Sequence, residues 1–309
     1  MLRLRLLLTC LLPFALSAAT VFISPSGDDA NPGTLAQPFR TIQHGVNLLQ
    51  PGDTCFVRSG TYREAVTIAK KGTAAKPIRV RAYPGERVLL DGTEPITGWQ
   101  PAGKGLYTTK TPLTFEQLFA GEQMLTEARW PNCAPDRILT RDGWATVGPK
   151  SEYKAIRDPE LAATGIDWNG ATAILNVAHQ FWSWSRTVEG YEKGSDLLPY
   201  MITMNEFHTK NRNWWHDDFY YLMGKREALD VDGEWHLAAD GTLTIMSSKG
   251  APADIRAKQR DYAFKGTDSA FVELSGFHFF GCTFRFDNSS NCLVEYCNLL
   301  YPSYARGVP

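Results

Sequence analysis

Val21-Phe22-Ile23-Ser24-Pro25-Ser26-Gly27-Asp28-Asp29-Ala30-Asn31-Pro32-Gly33-Thr34 opens the stretch, running on to Ile68, whose reading decides the fold. It starts as a short apolar strand and passes into a turn-rich loop. One amphipathic helix follows, with Ile42, Val46 and Leu49 on a single face at i, i+4, i+7. Pro51-Gly52-Asp53 stops that helix. The chain then turns to short strands, Cys55-Phe56-Val57 and Ala65-Val66-Thr67-Ile68. One helix ahead of many short strands suits a β-solenoid. The first rung of a solenoid exposes its core and an unpaired edge unless something covers it.

Further residues of the same stretch carry a resemblance. They are Ser24 to Asp29, Asn31-Pro32-Gly33-Thr34, Pro38-Phe39, Thr41-Ile42-Gln43, Pro51-Gly52-Asp53 and Gly60-Thr61-Tyr62. Together they resemble the N-terminal signature of secreted right-handed parallel β-helix proteins, the pectin-lyase-like superfamily. The resemblance implies a fold and leaves the reaction open, because that fold carries lyases, hydrolases, epimerases and binding proteins.

Upstream, residues 1–19 read as a secretory signal peptide. Arg3 and Arg5 are its charged end, Leu6 to Leu16 its apolar run, and Ser17-Ala18-Ala19 its small-residue cleavage site. The protein is therefore expected to be secreted or periplasmic. Lys and Arg total 32 against 33 Asp and Glu, so loss of Arg3 and Arg5 leaves a nearly neutral chain. No basic field argues for nucleic acid or an anionic membrane, although a local basic cleft is compatible with this balance. Beyond Cys10, the five cysteines are Cys55, Cys133, Cys282, Cys292 and Cys297, an odd number with no zinc spacing. They read as small apolar residues of a coil interior.

Downstream, the coil continues through Pro77 to Tyr83 and Glu86 to Gly92. From Ile96 the texture changes. Gly233-Glu234-Trp235-His236-Leu237 turns at Ala239-Asp240-Gly241 and returns through Thr242 to Met246, an Asp-Gly hairpin. An antiparallel domain is expected over 96–257, interrupting the coil. Gln123 to Asn132 and Ala228 to Trp235 resemble segments of glycoside-hydrolase-type β-helix proteins, where they occupy such a domain. Over 258–309 the coil resumes. Val272, Leu274, Phe277 and Phe279 lie twenty residues ahead of Cys292, Val294, Cys297 and Leu299, and all eight are apolar. No cap is visible before Pro309, so the sequence is expected to be the N-terminal portion of a longer protein or the product of an interrupted reading frame.

The fold expectation is all-β: a right-handed parallel β-helix over 20–95 and 258–309, with an N-terminal capping helix and an inserted antiparallel β domain. For chemistry, no nucleophile elbow, P-loop, dinucleotide fingerprint or His-Glu-x-x-His motif is present. Two aromatic stretches stand out, His179 to Arg186 and Asn213 to Tyr221. Indole faces stack on sugar C–H faces, and nearby His, Asp, Asn and Arg can bond hydroxyls. Trp182, Trp184, Trp214, Trp215 and His216 are therefore the candidate substrate-binding residues. Packing of the domain core explains the same aromatics equally well.

Stacked carboxylates on neighbouring rungs would suit glycoside hydrolysis. At the offset of twenty, however, Glu273 meets Leu293 and Ser275 meets Glu295. Catalytic residues stay unassigned. Asp28-Asp29 reads as turn capping, with calcium as the other option and no cofactor required. Arg79 and Arg81 are the bases a lyase would need, or ordinary surface arginines. The reading is a secreted polysaccharide-active β-helix protein, most like a glycoside hydrolase. The alternatives are a lyase or epimerase on uronate polymers, and a non-catalytic glycan-binding protein. Its partner is expected to be a polysaccharide or oligosaccharide, with neither nucleic acid nor membrane involved.

Overall fold

The computed structural model describes residues 18–137, 140–149, 151, 155–177, 180, 182–200 and 218–306. Contacts divide the chain into two units, 1–92 with 260–302, and 93–259 with 303–309. No helix among the described residues is long and apolar enough to cross a membrane.

The first unit is a coil of three parallel sheets. One sheet stacks Thr20–Ile23, Thr54–Val57, Ile78–Ala82, Val272–Ser275 and Leu293–Glu295. The second stacks Gly60–Tyr62, Val88–Asp91, Phe277–Phe280 and Asn298–Leu300. The third stacks Val66–Ile68, Tyr262–Thr267 and Thr283–Asp287. The chain leaves the coil after Asp91 and rejoins it at Tyr262.

Alternation along each strand sends every second side chain inward. Register then stacks like on like, so that Val21, Cys55, Val80, Leu274 and Val294 form one column. The offset of twenty is the register of the last two rungs, with Leu274 on Val294 and Phe279 on Leu299. Val272, Leu274, Phe277 and Phe279 are fully buried, and Cys292, Val294 and Cys297 pack partly buried against the same core. Leu299 departs from the expectation. It is 39% exposed, in the last described rung, with a neighbour on one side only.

The rung corners repeat as the strands do. Left-handed φ recurs at Asp268 and Asn288, Phe271 and Asn291, Gly276 and Tyr296, and Gly281 and Tyr301. Each corner needs that conformation to turn the chain, whichever residue occupies it. Asn288 donates to the Asp268 carboxylate one rung below. Ser269 donates its hydroxyl to the Ile68 carbonyl at 2.7 Å.

The helix Ile42–Leu48 packs Ile42, Val46 and the following Leu49 into the coil core, the face read from their spacing. Its first free N–H groups are satisfied from two directions. His44 donates its main-chain N–H to Thr41 Oγ1, while those of Ile42 and Gln43 donate to the two Glu64 oxygens at 3.0 and 3.1 Å. Cys55 and Cys282 lie buried in this core, and burial pushes the Cys55 thiol up to about 12. Cys133 instead belongs to the second unit, and all five cysteines are free.

The second unit holds an eight-stranded sheet in the order Thr93–Pro95, Ile255–Lys258, Leu118–Ala120, Gln123–Glu127, Glu234–Leu237, Thr242–Met246, Leu106–Lys110, Gln100–Gly103. Every neighbouring pair is antiparallel except Gln123–Glu127 with Glu234–Leu237. The hairpin read at Asp240-Gly241 is present, with Trp235 opposite Ile245 and Gly241 at a φ of 80°. A second antiparallel sheet joins Arg129–Trp130, Ala145–Thr146, Phe219–Met223, Thr172–Val177 and Trp182–Thr187.

Candidate functional site

The second unit carries a cleft where the chain passes from one sheet to the other. Gln123–Glu127 ends in the eight-stranded sheet, and two residues later Arg129–Trp130 begins in the second sheet. Glu127 and Arg129 therefore both reach the cleft. Phe219–Met223 supplies the facing wall. Its Tyr220 and Leu222 are fully buried in the unit's core, so alternation turns Tyr221 the other way, onto the cleft. Trp144, just before Ala145–Thr146, meets Tyr221 edge-on at 4.7 Å between ring centroids. Trp235 closes the inner side, 5.4 Å from Phe115. Tyr304 and Arg306 line the rim, and Tyr304 is 41% exposed.

Charge in the cleft is arranged tightly. Arg306 donates two bonds to Glu127, at 2.7 and 2.6 Å, and its main-chain N–H reaches Glu116 at 3.3 Å. Its hydrogen bonds to Glu127 hold the Arg306 guanidinium above its ordinary range. A side chain on Gly224 would fall 2.8 Å from Arg306, so glycine there leaves room for the pair. Arg129 lies with its guanidinium 3.9 Å over the Tyr221 ring and donates to the carbonyls of Pro131 and Gly143. Burial lowers its pKa. Partial burial raises the Tyr304 phenol to about 12, and its neighbours Tyr221 and Glu127 add to the shift. Glu234 is 4% exposed and is raised to about 7 by burial, although it accepts from the N–H groups of Asp230 and Val231.

Of the residues proposed from sequence, only Trp184 has a described side chain, and it does not line this cleft. Trp184 is 8% exposed, packs in the core of the second sheet and has Arg186 over its ring at 5.0 Å. Trp182 lies on the same strand, and its side chain is outside the described residues. Trp214, Trp215 and His216 also lie outside them, as does Asp217. Asp218 is fully buried. On the coil, both arginines weighed for a lyase are held by one carboxylate, Arg79 to Glu273 at 2.9 Å and Arg81 to Glu273 at 2.7 Å. Asp29 accepts from the N–H groups of Arg40 and Thr41 and from the Thr41 hydroxyl, the turn-capping role read from its loop. The cleft itself was not read from sequence. Glu127 and Arg129 stood in the Gln123–Asn132 segment and Tyr221 at the end of the second aromatic stretch, but nothing local signals that they converge.

Comparison with known proteins gives the fold its place. Residues 21–123 match a family model described as the Pel9A-like right-handed β-helix region. Pectate lyase PEL9 of Emericella nidulans is 42% identical over 82 residues, which are 26% of this chain and 20% of that protein. The uncharacterized protein YwoF of Bacillus subtilis is 40% identical over 72 residues, 23% of this chain and 15% of its own. A solved glycoside hydrolase superposes at a TM-score of 0.64 with 19% identity, covering 85% of this chain and 50% of that one. The chain thus spans 20% and 15% of the two curated relatives. The coil has the fold of a right-handed β-helix, and the family match takes in its first rungs and runs on to residue 123.

Proposed function

We propose that this is a secreted, carbohydrate-active β-helix protein of the glycoside-hydrolase kind, whose cleft in the second unit holds a sugar ring of a polysaccharide. The carrying observation is the cleft's composition. Trp144, Tyr221 and Tyr304 present ring surface, and Glu116, Glu127, Arg129 and Arg306 present charged hydrogen-bonding groups. A sugar needs both, an apolar face to stack and polar groups to take its hydroxyls. In this reading the helix Ile42–Leu48 caps the first rung, and residues 93–259 are a domain set into the coil to carry the cleft. Residues 1–19 act as the export signal.

A lyase on uronate polymers is the second reading. The match of residues 21–123 to a pectate-lyase-type coil favours it. The pairing of Arg79 and Arg81 with Glu273 weighs against it, because a base must be free to take a proton.

A screen of neutral and acidic polysaccharides, read for binding, new reducing ends and ultraviolet-absorbing unsaturated products, tests both readings. The expected outcome is binding with little or no cleavage by these 309 residues. Glu127 is committed to Arg306, and among the described residues no free carboxylate pair spans the cleft. Reducing ends lost on Glu127→Gln or Glu295→Gln would move the catalytic centre onto these residues. Unsaturated products would favour the lyase, and absence of any binding would sink the carbohydrate reading.

A further inference from the structure

Residues 303–306 run along the cleft rim outside both sheets of the second unit. Ser303, Tyr304 and Ala305 are exposed. Among the described residues, the stretch is held by the hydrogen bonds of Arg306 alone. Its guanidinium donates two to Glu127, and its main-chain N–H makes the long 3.3 Å contact with Glu116. No main-chain bond to a neighbouring strand ties it down among the described residues. Ladder bonds and buried apolar contacts are what raise local stability, so opening of this stretch is governed by one ion pair.

The stretch covers the inner part of the cleft. Trp235 lines the cleft beside Tyr304 and again beside Arg306, yet it is only 3% exposed. The Glu127 side chain is 9% exposed beneath its partner, whereas the Arg306 side chain is 34% exposed. A two-pronged guanidinium–carboxylate pair closes in one geometry, and with one member half in water it can also open.

We propose that residues 303–306 are a strap latched shut by Arg306 on Glu127, and that the cleft takes and releases its ligand when this pair opens. Tyr304 moves with the strap, so closure brings its ring onto the ligand. That the ligand is a sugar rests on the reading of the cleft given above. The latch itself does not.

Access to Trp235 tests the latch without a ligand. The full chain is labelled with 5-fluorotryptophan, the Trp235 and Trp168 signals are assigned by phenylalanine replacement, and broadening by a neutral gadolinium chelate is read. Arg306→Gln and Glu127→Gln should each increase broadening of Trp235. Trp168, fully buried in the other core, should stay as in the native protein. The double variant should be no more open than either single one, because both remove the same pair. Unchanged broadening in the single variants, or effects that add in the double, overturns the latch. If Arg306→Gln fails to fold, Glu127→Gln decides. Binding kinetics of the best-binding glycan from the polysaccharide screen supply the second readout. In Arg306→Gln its association and dissociation rates should rise together, each about tenfold, the range of one lost charge-assisted contact, while affinity moves much less. A rise in dissociation alone makes Arg306 a ligand contact and overturns the gate. If no glycan binds, the sugar reading falls and access to Trp235 still decides the strap.

Discussion

Single residues set the tolerances of the coil. Gly266 lies in register with Phe286 of the next rung, and a Cβ on it would fall 2.1 Å from that ring. Its backbone is ordinary strand, so the constraint is space alone. Gly266→Ala is expected to cost about 1–3 kcal/mol by overpacking, read as a lowered midpoint in chemical denaturation. Glu234 sets a pH dependence in the second unit. Its folded pKa of about 7 lies above the ordinary carboxyl value, so the folded state binds its proton more tightly than the unfolded state. The stability this confers is complete below the unfolded pKa and is lost as pH rises through about 7. The loss is on the order of 3 kcal/mol at most. Glu234→Gln keeps an acceptor for Asp230 and Val231 and removes the titration. Relative to the native protein it should gain stability steadily from acidic to mildly alkaline pH. Parallel stability curves for the two proteins would show that Glu234 is not held protonated.

At the scale of elements, Glu64 matters more than its position between two short strands suggests, because its carboxylate bonds the first N–H groups of the helix Ile42–Leu48. Glu64→Ala should cost about 0.5–2 kcal/mol, the range of a lost cap, and faster amide exchange at Ile42 and Gln43 would locate the loss. A loss confined to other amides would show the cap to be idle. Elements of this kind were largely legible in the sequence. The helix face, the Asp240-Gly241 hairpin and the register of the last two rungs follow from short-range periodicity and turn chemistry. The corners at Tyr296 and Tyr301 were not legible, since their left-handed φ is imposed by stacking on Gly276 and Gly281 and not by residue type. The cleft was not legible either. Glu127, Tyr221 and Arg306 are far apart in sequence and meet only through sheet pairing and a segment beyond the last rung. Trp184 shows the same limit from the other side, because alternation placed it on one face of a strand without saying that the face is buried.

At the scale of the whole molecule, the two units divide the account. The coil carries the right-handed β-helix match, and the second unit holds the cleft on which the proposed carbohydrate function rests. Tyr304 is the residue that tests that function with the least damage to the fold, since it stands at the rim and is 41% exposed. The measurement is the affinity of the best-binding glycan from the polysaccharide screen for the native protein and for Tyr304→Ala, with thermal midpoints recorded beside it. Stacking of one aromatic ring is worth about 0.5–1.5 kcal/mol, so the account predicts an affinity loss of roughly twofold to tenfold at an unchanged midpoint. Unchanged affinity in Tyr304→Ala would contradict it and place the sugar site outside this cleft.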